Sequence, residues 1–291
     1  MEIKLPSAEQ FDDIIEQMKI MSGSKATDDY SNSPGGKSLV AGDLDAGFYG
    51  FVQPHEFGKI GEEDEFSGSN LAKAIGISQG TVQFDKTPWL KFSWNRKILL
   101  VPMKAIRHSV SWDTIYKAGA VYGTGNTISE GEQFMLDNDP NYGSDARVKQ
   151  DAQVTIDGLE YKVRLMKGAG SDPTDSYANS DRGSSGASNE WNGLILPLHH
   201  KAPSSFAYNA YADTPRPNWG IGLTDEILQT HSKYGTGSYS WMQETRDTVE
   251  GDEDGLIRRV NRGYHGASSL LAFDSSGTNT HRGFRPVLEL L

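Results

Sequence analysis

Two features of this 291-residue sequence invite a chemical reading. The first is the pair His199-His200, which could supply imidazole nitrogens to a metal. Neighbours on an extended strand point to opposite faces, however, and no carboxylate stands at a recognisable ligand spacing. Two surface histidines are expected. The second feature is acidic: GDEDG (251–255) and DNDPNYGSDA (137–146) could hold calcium through carboxylate oxygens. Neither has the full spacing of an EF-hand loop, and the first lacks the closing Glu. Carboxylates from distant loops can still assemble such a site. The expectation is therefore no cofactor, with calcium left open.

Covalent catalysis finds little support. The chain has no cysteine, which removes disulfides, thiolate nucleophiles and cysteine-based metal sites. No G-x-S-x-G elbow appears. A polysaccharide hydrolase would need two carboxyl groups at catalytic separation. With 39 Asp and Glu residues, chance pairs are too numerous to single one out. The chain reads as a non-enzyme.

The elements that would position any site alternate short strands with turns. GFYGFVQP (47–54) reads as a strand ending at Pro54, and SGSNLAKAIGI (67–77) as a helix capped by Ser67 or Ser69 and stopped near Gly76. Residues 87–106 predict paired strands around a turn at Asn95-Arg96, and 109–123 a helix capped by Ser111 with Trp112, Ile115 and Tyr116 facing inward. Asp157-Gly158 is the clearest hairpin signal, flanked by alternating Val154, Ile156, Tyr161, Val163 and Leu165. NEWNGLILPL (189–198) fits either one helix or a buried strand, and LTDEILQTHSK (223–233) predicts a helix capped by Thr224. SYSWMQE, LIRRVNRGY, SLLAFD and RGFRPVLELL then read as four strands, the last tying the terminus into a sheet.

At the other end, Phe11, Ile14, Ile15, Met18 and Met21 recur at helical intervals behind a Ser7/Gln10 capping spacing. Residues 21–38 follow as a Ser/Gly/Asp/Pro linker. The expected organisation is a helix and linker over 1–38, the helix either docked on its own domain or serving attachment or oligomerisation, then one domain over 39–291 with 39–86 as its N-terminal extension. The 32 Gly, 12 Pro and 36% hydrophobic residues suit a loop-rich α+β protein. A net charge of −11 argues against nucleic acid and anionic membranes as partners. No apolar run approaches the roughly 18 residues of a membrane span.

The order of these elements and three strings resemble the C-type-lectin-like branch shared by formylglycine-generating-enzyme-type domains and phage tropism determinants. The strings are the C-terminal RRVNRGY…RGFRPVLELL, the aromatic SYSWMQE, and the pair YKVRL (161–165) and EWNGL (190–194). TPWLKF, SVSWDTIYKAGAVYG and VRLMKGA look like a module at the ends of phage tail fibres. The resemblance covers about residues 45–291. It implies small twisted antiparallel sheets, two or three helices and long loops. It further implies that Arg262-Gly263 and Arg282-Gly283-Phe284-Arg285 are scaffold, with the glycines allowing close backbone approach and the arginines satisfying loop carbonyls. The oxidase chemistry of the enzyme branch works through cysteine and has no counterpart here.

In tropism determinants of this fold the exposed segment between the last strands carries ligand contacts. Here that segment holds Tyr264, His265, Ser268, Ser269, Phe273, Ser275, Asn279 and His281. Rigid aromatic area beside short hydrogen-bonding groups suits adaptable recognition. Phe273 and Leu271 could equally be hairpin packing. The resemblance implies a bacteriophage adhesin that binds a host-surface glycan or protein, displayed in several copies beside other virion proteins. A structural decoration, neck or baseplate component is the second expectation, and a carbohydrate-active enzyme the third. MEIKLPSAEQ lacks the basic start and apolar stretch of a signal peptide, so synthesis in the host cytoplasm and assembly into a virion are expected.

Overall fold

The computed structural model describes residues 32–126, 147–172, 174, 189–200, 218–246 and 258–291. The expected helix over 7–21, both acidic runs and most of the Ser-, Asp- and Gly-rich residues 171–188 lie outside them. The strands are β1 (Ala41–Gly42), β2 (Ala46–Val52), β3 (Thr81–Val82), β4 (Trp89–Trp94), β5 (Lys97–Pro102), β6 (Arg107–His108), β7 (Gln153–Ile156), β8 (Leu159–Arg164), β9 (Tyr239–Arg246), β10 (Arg258–Arg262), β11 (Leu270–Asp274), β12 (Arg282–Phe284) and β13 (Val287–Leu290). Three short helices accompany them among the described residues: α1 (Gly68–Ala74), α2 (Trp112–Lys117) and α3 (Asp225–Leu228). Among the described residues strand far outweighs helix.

Strand β5 reads Lys-Ile-Leu-Leu-Val-Pro with no polar alternation, and a strand of that kind must be covered on both faces. It lies inside a seven-stranded sheet of order β1-β2-β4-β5-β13-β8-β7. Ile98 and Leu100 join Trp89, Tyr161, Val163 and Leu288 in one buried cluster. Leu99 and Val101 join Phe48, Leu90, Phe92 and Val287 in the other. The C-terminal strand β13, paired with β5 and β8, thus sits near the centre of the sheet, and the terminus is tied in as expected.

Two hairpins match their turn chemistry. Asn95 and Arg96 both take positive φ (49° and 64°), as do Asp157 and Gly158 (48° and 80°), the backbone of a tight two-residue turn. The first carries no glycine. It is held instead by hydrogen bonds from the Asn95 and Arg96 N–H groups to the Asp45 and Leu44 carbonyls. Helices α1 and α2 begin where expected, Ser67 accepting from the Asn70 N–H and Ser111 from the Thr114 N–H.

The second sheet has six strands in the order β11-β10-β9-β12-β6-β3. RGFRPVLELL is not one strand: β12 joins this sheet and β13 the other. Pro286 marks the crossing, because it has no N–H to give a ladder. Three tryptophans then pin loops to the sheets. The indole N–H of Trp112 donates to the Met242 carbonyl at 3.0 Å, that of Trp241 to Val110 at 2.7 Å, and that of Trp191 to Ala267 at 2.7 Å.

Two further expectations change. Residues 191–195 form a π-helical turn and Leu196–Leu198 a 3-10 turn, neither a regular helix nor a strand. The 223–233 segment is helical only over Asp225–Leu228. Gln229, buried and at φ 53°, reverses the chain there, and the Thr230 N–H bonds back to the Asp225 carbonyl.

Candidate functional site

The six-stranded sheet carries a band of rings where β9 begins. Tyr239, the first residue of β9, is the hub: its ring lies 4.5 Å from Tyr264, 5.8 Å from Phe273 and 5.2 Å from His281, stacked at 9° and 22° on the last two. Tyr264 meets His265 edge-on at 4.0 Å, and His265 lies 6.2 Å from His231, which packs on Tyr234. The Arg282 guanidinium sits 4.9 Å above Phe273 and 5.4 Å from Trp241. Four separate stretches of chain therefore build one continuous surface.

Backbone bonds explain why these stretches meet. Parallel pairing of β12 with β9 sets Arg282 beside Tyr239, and the Tyr239 N–H donates to the His281 carbonyl at 2.8 Å. The Ser232 N–H donates to the Tyr264 carbonyl at 3.1 Å, and His231 bridges His265. Gly263 takes φ +98° with its α-carbon so close to β9 that a Cβ would lie 2.4 Å from the Ser238 carbonyl oxygen. A Cβ on Gly283 would lie 2.4 Å from the Gly237 carbonyl oxygen. Both glycines thus serve close approach, as the Arg-Gly reading requires. The arginines satisfy carbonyls at element ends rather than in loops: Arg282 donates to Asp274 at the end of β11 at 3.2 Å, and Arg285 to Leu228 at the end of α3 at 2.6 Å.

A single carboxylate braces the surface from behind. Asp225 Oδ1 accepts from the Ala267 N–H at 2.8 Å and the Thr230 hydroxyl at 2.7 Å, and His199 Nε2 lies 3.3 Å from it. Burial alone would raise the Asp225 pKa, but the nearby His199 imidazole and the Thr230 hydrogen bond outweigh it and hold the carboxyl at about 2. This corrects the reading of two surface histidines. His200 is exposed, but His199 is fully buried. The pair is not on a regular strand; a bridge from His199 to Leu223 turns the imidazole inward beside Asp225.

The phenol of Tyr239 is pushed up to about 12, first by burial and then by its hydrogen bond to Tyr264, so it stays protonated at neutral pH. His231 is lowered below the ordinary histidine value by burial and by the Lys233 charge, with His265 adding and Asp225 opposing. Near neutral pH Tyr239 and His231 therefore both favour their uncharged forms.

Of the residues expected at the site, Tyr264, His265, Phe273 and His281 lie in the ring band. Asn279 is exposed beside it, its side chain accepting from the His281 N–H at 2.9 Å. Ser268 and Ser269 are partly exposed in the β10–β11 turn, where the Ser268 carbonyl accepts from Arg262. Ser275 does not belong: it is fully buried, and its carbonyl accepts from the Asp113 N–H at the start of α2. Tyr239, His231, Tyr234 and Arg282 were not expected. Only for Tyr239 did the sequence hold a signal, since period-two alternation in β9 puts it on the same face as Trp241.

A surface of this kind can stack on the apolar face of a sugar ring or a flat side chain and hydrogen-bond around the rim. Among the described residues no group of three metal-ligating side chains occurs, and none of their helices is long and apolar enough to cross a membrane. No protein-family model, no curated protein and no solved structure matches the chain.

Proposed function

We propose that this protein is a non-enzymatic recognition protein of C-type-lectin-like organisation, a bacteriophage virion or tail-fibre component that attaches to a glycan on the host surface. One observation carries the reading. The ring band of Tyr239, Tyr264, Phe273 and His281 is assembled from separate strands and turns and held by backbone bonds, rather than scattered as single exposed aromatics. Such an array makes a preformed platform, amphipathic and with little side-chain freedom left to lose on binding. The C-type-lectin-like assignment draws support from the two Arg-Gly corners that the resemblance anticipated; the sheets, of seven and six strands with β12 parallel to β9, are larger and less uniformly antiparallel than it implied. Display in several copies on a particle would turn weak single contacts into firm attachment.

The test is adsorption of the purified full chain to an array of bacterial surface glycans, with Tyr264→Ser and Phe273→Ser alongside. Wild-type binding to one glycan class, lost in both variants while their melting temperatures stay near wild type, supports the proposal. Absence of wild-type binding to arrayed glycans and to intact bacteria sinks it.

A further inference from the structure

The seven-stranded sheet carries a pocket of about 230 Å³ on the face that presents Leu99, Glu289 and Lys162, which stand in register across β5, β13 and β8. Residues opposite one another on paired strands share a face, so the pairing itself brings these side chains together. The volume falls just below that of drug-sized sites and suits a small compound. Four cationic side chains line it, Lys97, Lys162, Arg164 and Lys167, against two acids, Glu190 and Glu289.

Both acids are already taken. Arg164 donates to the two Glu190 oxygens at 2.7 and 2.8 Å and to Glu289 Oε2 at 2.9 Å. Lys97 occupies Glu289 Oε1 at 2.6 Å, which leaves Lys162 3.9 Å from that same oxygen. Lys167 forms no ion pair among the described residues. Asp172, in an adjoining cavity that shares Lys167, is bonded by the Thr245 N–H at 2.9 Å and feels the Arg259 charge more than that of Lys167. The pocket thus holds two positive charges in excess, in a chain whose net charge is −11. Those charges are also held in place. The Lys162 side chain is only 23% exposed, and a Cβ on Gly123 would lie 2.7 Å from it, so the chain at Gly123 packs directly on its stem. The Lys167 N–H is fixed by Glu190 at 2.9 Å.

We propose that this pocket binds a small oxyanion, the carboxylate or phosphate group of a compact metabolite, held by the Lys162 and Lys167 ammonium groups with the rest of the compound against the Trp94 ring. The two ammonium groups offer donors and charge that no carboxylate of the wall uses, and donors of that kind make the stronger hydrogen bonds. Trp94 is half-buried and its ring is seated on Gly193, where a Cβ would come within 2.4 Å, so it presents a fixed apolar wall. Size selects among anions. A long polyanion such as nucleic acid meets the repulsion of the whole acidic chain, whereas an anion small enough to enter meets the local excess. The site shares no residue with the ring band.

The test is calorimetric titration of the full chain with D-glucuronate and with D-glucose 6-phosphate, using D-glucose as the uncharged analogue. At least one of the anions should bind as one molecule per chain, more weakly as salt is raised, and glucose should not bind. Which anion binds distinguishes a carboxylate from a phosphate ligand. Lys162→Gln and Lys167→Gln should each weaken it by about ten-fold or more, with folding checked by thermal melting. The Lys167 side chain is exposed, so should Lys162→Gln fail to fold, Lys167→Gln decides. Glucose binding as well as the anions, no binding of either anion, or unchanged affinity in a folded variant overturns the proposal.

Discussion

The Tyr239 and His281 rings stack 5.2 Å apart at 22° because β9 and β12 run parallel, with Tyr239 in register with Arg282. That pairing makes the ring band part of the sheet rather than an ornament on a loop. Tyr239 is buried, so truncating it would damage the fold, whereas Tyr264 is only half-buried. Replacing Tyr264 with Ser should therefore cost binding more than stability. A central aromatic contact is worth at least about 1.4 kcal/mol, or about ten-fold in affinity. Adsorption to host cells, measured beside the melting temperature, separates the two effects.

Gly263 offers a test of the scaffold itself. Its φ of +98° is a conformation that L side chains rarely adopt, and a Cβ there would meet backbone atoms of both Ser238 and Thr230. Backbone cannot swing aside as a flexible side chain can. Gly263→Ala should destabilise the protein by about 2 to 3 kcal/mol, lowering the melting temperature by roughly 4 to 10 °C. A change below one degree would mean the β10–β11 turn does not pack on β9 in this way.

Arg164 joins three elements through one buried guanidinium. Its side chain donates to Glu190 at 2.7 and 2.8 Å and to Glu289 on β13 at 2.9 Å. Arg164→Ala leaves Glu190 buried without its partner, and a loss of about 3 to 5 kcal/mol follows. Arg164→Ala combined with Glu190→Gln should recover part of that loss. Urea unfolding of the two variants checks the ordering.

The same network explains what the sequence could and could not reveal. Both hairpins were legible because Asn95-Arg96 and Asp157-Gly158 state their turn locally, and capping serines announce α1 and α2 as plainly. NEWNGLILPL was ambiguous because its geometry is set from afar. Glu190 must reach Arg164, Asn189 bonds the Asn192 N–H at 2.8 Å, and Pro197 withholds a donor. The candidate site followed the same division. Tyr264, His265, Phe273 and His281 lie in one continuous segment and could be named together. Alternation in β9 gives the face of Tyr239, but its meeting with them comes from strand pairing, and that of His231 from a bridge, neither of which a local pattern encodes. Ser275 was misassigned since a serine in a polar run reads as exposed, and its burial depends on α2 covering it.

Asp225 ties stability to acid. Its folded carboxyl at about 2 lies below the ordinary 3.8, through the nearby His199 imidazole and the Thr230 hydrogen bond acting against burial. A depressed carboxyl contributes stability that is present above pH 3.8 and lost as pH falls through about 2. Partial exposure discounts the contribution to about 1 to 2 kcal/mol. Asp225→Asn should lose it at neutral pH and show a shallower acid transition in unfolding followed between pH 5 and 2. Because Asp225 also holds the Ala267 N–H, the variant should loosen the ring band, measurable as faster amide exchange at Ala267.

Glu244 predicts the opposite slope. Burial, followed by the Asp172 charge, pushes its carboxyl up to about 8 against the hydrogen bonds of Gly168 and its neighbours. The ordinary value is 4.5, so between pH 4.5 and about 8 the folded state holds a proton that the unfolded state has released. Stability must then fall as pH rises across that window, by on the order of 2 to 4 kcal/mol. Glu244→Gln keeps the size and the acceptor for the Gly168 N–H but cannot ionise, so its stability should stay nearly flat over the same range. Urea unfolding at pH 5, 6.5 and 8 measures both curves. Parallel slopes for wild type and variant would mean that Glu244 is already ionised at neutral pH and has found a cation nearby.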